Sequence, residues 1–164
     1  MTLPSLAEIE QLAAARGLLL RLQVKQALAV TTLRVVVARP RQGQGPLLLG
    51  ELKGWALPLL AGLQLDTMRV QGTDTQGVGA LIWAATFAWA LEATPCRSAR
   101  LLAIRDNDQQ HRRLVRYFRQ LGFEPVREVG AAAMDLPLRL VWGGAGLLMR
   151  GDITAGLERI RRRL

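Results

Sequence analysis

Between Leu65 and Glu92 the hydrophobic period of the chain changes once, and no other stretch limits the fold so closely. Leu65-Asp66-Thr67-Met68-Arg69-Val70-Gln71 alternates in character at nearly every step, as a half-buried strand does. Gly72-Thr73-Asp74-Thr75-Gln76 is made of turn formers, and Gly77-Val78-Gly79 then lets the backbone coil tightly without a β-carbon to keep a ligand away. Ala80 to Glu92 supplies Ala, Leu, Ile and Trp with no proline, enough for several helical turns. A strand that turns through glycines into a helix leaves free amides at the positive end of the helix dipole, which suits a phosphate or pyrophosphate. Each exposed charge–dipole contact is worth about 0.3–1 kcal/mol, so several amides must converge to hold a ligand. The same residues also serve as a plain strand-to-helix turn.

Trp83, Phe87 and Trp89 spread around this helix instead of forming one stripe. A helix apolar on all sides must be covered on more than one of them, so the C-terminal segment or a second subunit, making a homodimer, is expected to pack on it. The uncharged run Thr75 to Leu91 has 17 residues, short of the roughly 20 that span a bilayer. It predicts a buried helix and no membrane span. Met1 to Glu10 carries acids and no basic region ahead of an apolar core, unlike a secretory signal, so the expected location is cytoplasmic.

With 164 residues, half of them apolar, the chain suits one domain with a substantial core. A single cysteine, Cys96, excludes an internal disulfide, and a single histidine, His111, leaves no cluster with metal-ligand spacing. Neither Ser5 nor Ser98 sits in a glycine-flanked elbow, which argues against a serine hydrolase. Charge is the outlier: 22 basic against 13 acidic residues, net +9, with Lys25 and Lys53 the only lysines. An anionic partner follows, with nucleotide, RNA and membrane surface all open.

Upstream, Pro4 to Ala15 reads as a helix: Ser5 can cap it, Glu8 stands three residues on, and Leu6, Ile9, Leu12 and Ala13 recur at helical spacing until Gly17. Leu20, Leu22 and Val24, then Val30, Thr32 and Arg34, predict two strands between Leu18 and Val37. Two prolines and two glycines make Arg39 to Pro46 a loop, Leu47 to Trp55 resumes as a strand, and Ala56 to Leu63 is a longer connection. Downstream of the apolar helix, Ala99 to Ile104 reads as a buried strand and Arg105-Asp106-Asn107-Asp108 as a turn. Gln109 to Leu121 is a second helix, with Leu114, Tyr117, Phe118 and Leu121 inward and Arg112, Arg113, Arg116 and Arg119 outward. Gly122 closes it, Phe123 to Val129 is a strand, and Leu136 to Trp142 is read as the last one. Gly143 to Gly146 reads as flexible, and Asp152 to Leu164 as a basic amphipathic helix.

This order, with Gly77-Val78-Gly79 after the strand and Leu121-Gly122-Phe123 after the later helix, resembles the GCN5-related N-acetyltransferase (GNAT) family over about Leu18 to Trp142. The resemblance implies an α/β (α+β) fold with a mixed, mostly antiparallel central sheet flanked by helices, followed by a C-terminal extension over 143–164 that carries a helix. It also implies acetyl-CoA as co-substrate, no metal, and an amine-bearing small molecule or protein as acceptor. In that family the turn reads Arg or Gln, two residues, Gly, any residue, Gly or Ala, and its amides bind the pyrophosphate. The implied cofactor-binding residues are therefore Asp74, Thr75, Gln76, Gly77, Val78, Gly79 and Ala80, with the main chain near Val70 facing the acetyl oxygen. His111 and Arg112 on the later helix join them; Arg112, Arg113 and Arg116 either meet the 3'-phosphate or form a solvated arginine-rich face. His111 could equally cap the start of its helix.

The chain departs from the family at three positions. The motif's Arg or Gln falls on Asp74, the helix's usual Asn falls on His111, and the family tyrosine falls on Phe118, with Tyr117 one residue earlier. One residue turns a helical side chain by about 100 degrees, so Tyr117 does not inherit that role by position alone.

Acyl transfer to an amine needs a base, donors for the tetrahedral oxyanion and an acid for the departing thiolate. Asp66 and Glu51, on adjoining strands, are the candidate bases acting through a water, and both also read as solvated strand carboxylates. Tyr117, the only tyrosine, is the candidate acid or a core aromatic. Acceptor specificity is expected in the N-terminal elements and the Arg39 to Pro46 loop, where no pocket is readable. A reading of a different class stays open: a non-catalytic module of the same fold that binds RNA or an acidic protein through its arginines.

Overall fold

Ser5 decides where the first element starts. The computed structural model describes residues 2–72, 75–105, 107–130 and 145–164. In α1 (Leu6–Ala15) the Ser5 hydroxyl accepts the Glu8 N–H at 3.1 Å and the Glu8 carboxylate accepts the Ser5 N–H at 2.9 Å. Such caps contribute about 1 kcal/mol. The helix stops at Gly17, which takes a φ of +72°.

Among the described residues seven strands follow: β1 (Leu19–Ala27), β2 (Val30–Arg41), β3 (Gln44–Ala56), β4 (Leu63–Val70), β5 (Ser98–Ile104), β6 (Glu124–Val129) and β7 (Gly146–Asp152). They form one sheet in the order β1-β2-β3-β4-β5-β7-β6. Among the described residues only the β4–β5 pair is parallel. The described helices α2 (Val78–Ala93), α3 (Asp108–Gln120) and α4 (Ile153–Arg161) flank it, so the mixed, mostly antiparallel sheet with a C-terminal helix is the observed architecture.

Two segments differ from the sequence reading. Arg39 to Pro46 is a hairpin, not a loop: β2 continues through Pro40 to Arg41, which pairs with Gln44, and Gly43 makes the turn at φ +71°. The register irregularity at Arg39/Arg41 accommodates the proline, which has no N–H to give to the ladder, and a second one at Val37/Ala38 leaves Leu49 of β3 without a partner in β2. At the other end, the strand expected over Leu136 to Trp142 lies outside the described residues. Gly146, read as flexible, instead opens β7, which is inserted between β5 and β6. A Cβ on Gly146 would come within 2.3 Å of the Ala103 carbonyl oxygen, so the glycine permits close contact between strands. The segment treated as an extension after Trp142 thus supplies an internal strand of the sheet.

The apolar helix α2 is covered on several sides. Ile9 and Ala13 of α1, Val35, Val37 and Leu52 of the sheet, and Leu157 and Ile160 of α4 share its buried core. The C-terminal segment provides part of the cover, as expected: Gly156 lies so close to Phe87 that a Cβ there would stand 2.8 Å from the ring. Gly50 does the same between β3 and α2. Its Cβ would meet Ile82 Cδ1 at 2.6 Å and Val78 Cγ1 at 2.9 Å, so Gly50→Val is expected to cost about 1–3 kcal/mol through overpacking. A lowered urea midpoint with unchanged slope is the readout.

Candidate functional site

The site begins where two strands separate. Leu63, Gln64 and Leu65 of β4 pair with Ala99, Arg100 and Leu101 of β5, and beyond Leu65 the pairing stops. The cause is an extra residue in β4: Gly54 pairs with Leu65 and Lys53 with Thr67, leaving Asp66 without a partner in β3. Such a bulge bends and twists its strand, here away from β5. Gly54 fits opposite because it has no Cβ, which would stand 2.7 Å from the Gln64 carbonyl oxygen.

The resulting cleft has a volume of about 370 Å³. Asp66, Thr67, Met68 and Val70 line it from β4, Leu102 and Ile104 from β5, and Leu114, Tyr117 and Phe118 from α3. A smaller recess of about 40 Å³ at its base reaches Trp83 and Leu52.

Gly77 caps α2 at φ +80°, a conformation that costs glycine little. The Val78 N–H donates to Thr75 O at 3.2 Å and the Leu81 N–H to Gly77 O at 3.0 Å. Among the described residues, the intervening amides of Gly79 and Ala80 find no acceptor. A Cβ on Gly79 would lie 3.5 Å from Tyr117 Oη and 3.6 Å from Met68 Cε, so the helix start and the cleft are continuous. Gln76 is exposed at the turn, and Asp74 lies outside the described residues.

Tyr117 turns its ring against Phe118 and its hydroxyl toward Gly79. Its Oη accepts the Trp83 indole N–H at 2.8 Å. An indole can only donate, so the phenol keeps its own proton for another acceptor. Burial pushes the phenol above its ordinary value, against smaller lowering contributions from the Trp83 hydrogen bond and the Arg163 charge. Phe118, at the family's tyrosine position, is buried among Trp83 and Phe123.

The two candidate bases stand in different surroundings. Asp66 is exposed at the bulge, and its carboxylate makes no hydrogen bond or ion pair among the described residues. Glu51, one strand away, accepts from Arg34 at 3.1 Å and lies 3.4 Å from Lys53 Nζ. The Arg34 hydrogen bond holds its carboxyl below the usual carboxylate range, against a smaller opposing contribution from burial.

His111 is not at the cleft wall. Its buried ring directs Nδ1 to Ile104 O at 3.2 Å, with Arg105 Nη2 3.4 Å from Nε2. Asn107 caps α3 instead, accepting from the amides of Gln109 and Gln110. Arg112 is exposed on α3.

The structure also brings in Arg16, which no local pattern announced. Its guanidinium donates to the main-chain oxygen of Leu164, and Nη1 stands 3.2 Å from where a Gly77 Cβ would be. The end of α1 therefore places a cation beside the helix start of α2.

A variant of spermidine N-acetyltransferase SpeG from Vibrio cholerae superposes on this chain with a TM-score of 0.50 at 13% identity, over 82% of this chain and 72% of that one. A chimera of SpeG from Vibrio cholerae with hSSAT gives a TM-score of 0.50 at 13% identity, over 94% and 80%. The chain has the GNAT acetyltransferase fold. An aminoglycoside 6'-N-acetyltransferase complexed with coenzyme A matches at a TM-score of 0.48 and 14% identity over 73% of each chain, too loosely to carry an argument. The sequence matches no family model and no curated protein. Among the described residues, no helix of this GNAT-fold chain is long and apolar enough to cross a membrane.

Proposed function

We propose that the chain transfers an acetyl group from acetyl-CoA to an amine. The observation that carries this reading is the opened sheet at Asp66, whose cleft runs on to the unsatisfied amides of Gly79 and Ala80. Those amides, in a turn shaped by Thr75, Gln76, Gly77 and Val78, suit the pyrophosphate, with Arg16 beside them and Arg112 available to the 3'-phosphate. The β4 edge from Asp66 to Val70, unpaired toward β5, offers main-chain groups to the pantetheine arm.

Asp66, unpaired and exposed, takes the acceptor's ammonium proton through a water, while Glu51 fixes Arg34. The amine nitrogen then attacks the thioester carbonyl, and a main-chain amide near Val70 stabilises the oxyanion. The C–S bond breaks, the Tyr117 hydroxyl protonates the leaving thiolate, and the proton that the acylated nitrogen sheds returns through solvent to the phenolate, so that the amide and the free thiol leave with Tyr117 restored.

Coenzyme A at about a hundred times its dissociation constant is expected to add roughly 2.7 kcal/mol of stability, read as a rise in melting temperature. Mass spectrometry of an amine panel incubated with acetyl-CoA follows the transfer itself. The absence of any shift at millimolar coenzyme A would remove the proposal. Gly79→Asp is expected to abolish the shift by placing a carboxylate beside Tyr117, where the pyrophosphate must pass.

A further inference from the structure

Asp66 borders the acetyl-CoA cleft and also a second hollow, of about 300 Å³, on the face of β1–β3 that carries Thr32 and Arg34. Three cations, Lys25, Arg34 and Lys53, surround this hollow, with Trp55 forming a wall. An adjoining hollow adds Arg69 and Glu51 and again ends on Asp66. Four cations thus face two carboxylates, and Glu51 is already bonded to Arg34 and Lys53. Arg34 is held in place from both sides, donating one N–H to Glu51 and another to Gln23 Oε1 at 3.3 Å, which leaves the rest of its five donors free. A molecule seated here with its amine at Asp66 must extend over these cations.

We propose that the acceptor is an amine carrying an oxyanion, carboxylate or phosphate, in the same molecule, and that Arg34 and Lys25 bind that oxyanion. This rests on the acetyl-transfer reading and names its substrate class. A polycation would satisfy Asp66 with one nitrogen and bring its remaining charges against Lys25, Arg34 and Lys53. A carboxylate or phosphate instead meets a pre-positioned guanidinium able to form paired hydrogen bonds.

The test measures thiol release from acetyl-CoA with glutamate, phosphoethanolamine, benzylamine and spermidine as acceptors; the protein's one cysteine, Cys96, is buried and adds no background. At least one oxyanion-bearing amine is expected to exceed spermidine in kcat/KM by about tenfold or more, and the glutamate and phosphoethanolamine arms separate carboxylate from phosphate. Arg34→Gln and Lys25→Glu are each expected to lower that kcat/KM by about 10–100-fold, mainly through KM, as for loss of a charged hydrogen bond. Stabilisation by coenzyme A should be unchanged in both variants. Spermidine turned over as well as or better than the oxyanion-bearing amines, or no turnover of those amines, overturns the substrate class while coenzyme A stabilisation leaves the acetyl-transfer reading standing. No stabilisation by coenzyme A and no thiol release with any amine removes both.

Discussion

Tyr117→Phe is expected to lower the kcat of acetyl transfer by about 10²–10⁴-fold, the usual contribution of a positioned proton donor, while leaving coenzyme A stabilisation intact. The substitution removes one oxygen and keeps the ring against Phe118, so a structural role alone would leave kcat nearly unchanged. The pH dependence gives a second readout. Burial raises the phenol above its ordinary value, so the folded protein keeps this proton at a pH where the unfolded chain has begun to lose it. The acid form therefore persists through neutral and mildly alkaline pH, and no alkaline fall in rate from Tyr117 is expected below the ordinary tyrosine range. The stability effect has the matching sign: as pH rises through that range the unfolded state binds fewer protons than the native state, and stability falls. In Tyr117→Phe that alkaline loss should diminish. A parallel pH titration of unfolding midpoints in the two proteins tests it.

Trp83→Ala is expected to destabilise the fold by about 3–5 kcal/mol, a large share of the 5–15 kcal/mol that holds most domains together. Trp83 is 1% exposed and packs its ring 5.6 Å from Phe87, 5.9 Å from Phe123 and 6.2 Å from Phe118, so the cavity would open among rigid aromatic neighbours. Its indole also supplies the hydrogen bond to Tyr117, the one polar link from this core to the cleft among the described residues. Trp83→Phe separates the two roles. It keeps most of the apolar volume and should lose much less stability, but it removes the donor that partly offsets burial at Tyr117, so the phenol should titrate higher still. Urea unfolding measures the first effect and the tyrosinate absorbance the second. Equal stability losses in the two variants would contradict this division.

Where a residue's immediate neighbours in sequence decide its state, the reading from sequence was sufficient. Ser5 and Glu8 close a local ring of hydrogen bonds, and Gly17 and Gly77 take positive φ values that need no distant partner. The strand-turn-helix over Leu65 to Glu92 has the same local basis. β7 was illegible for the opposite reason. Leu147-Leu148-Met149 lies inside a sheet and is apolar without alternation, and the glycine before it signals contact with Ala103, a residue far away in the chain.

The site divides along the same line. The sequence alone determined the amide-rich start of α2, because glycines and a helix without a capping side chain leave N–H groups free whatever surrounds them. It also determined the candidate acids and the single tyrosine by residue type. Only the tertiary structure decided that Asp66 is the unpaired residue of a bulge, since a bulge exists only relative to the register of β3. It likewise decided that Tyr117 reaches the cleft while Phe118 enters the core, that Glu51 is bound by Arg34, and that Arg16 stands over Gly77. Backbone conformation follows from short-range sterics and hydrogen bonds, whereas the chemical role of a side chain depends on charges and packing contributed by residues distant in sequence.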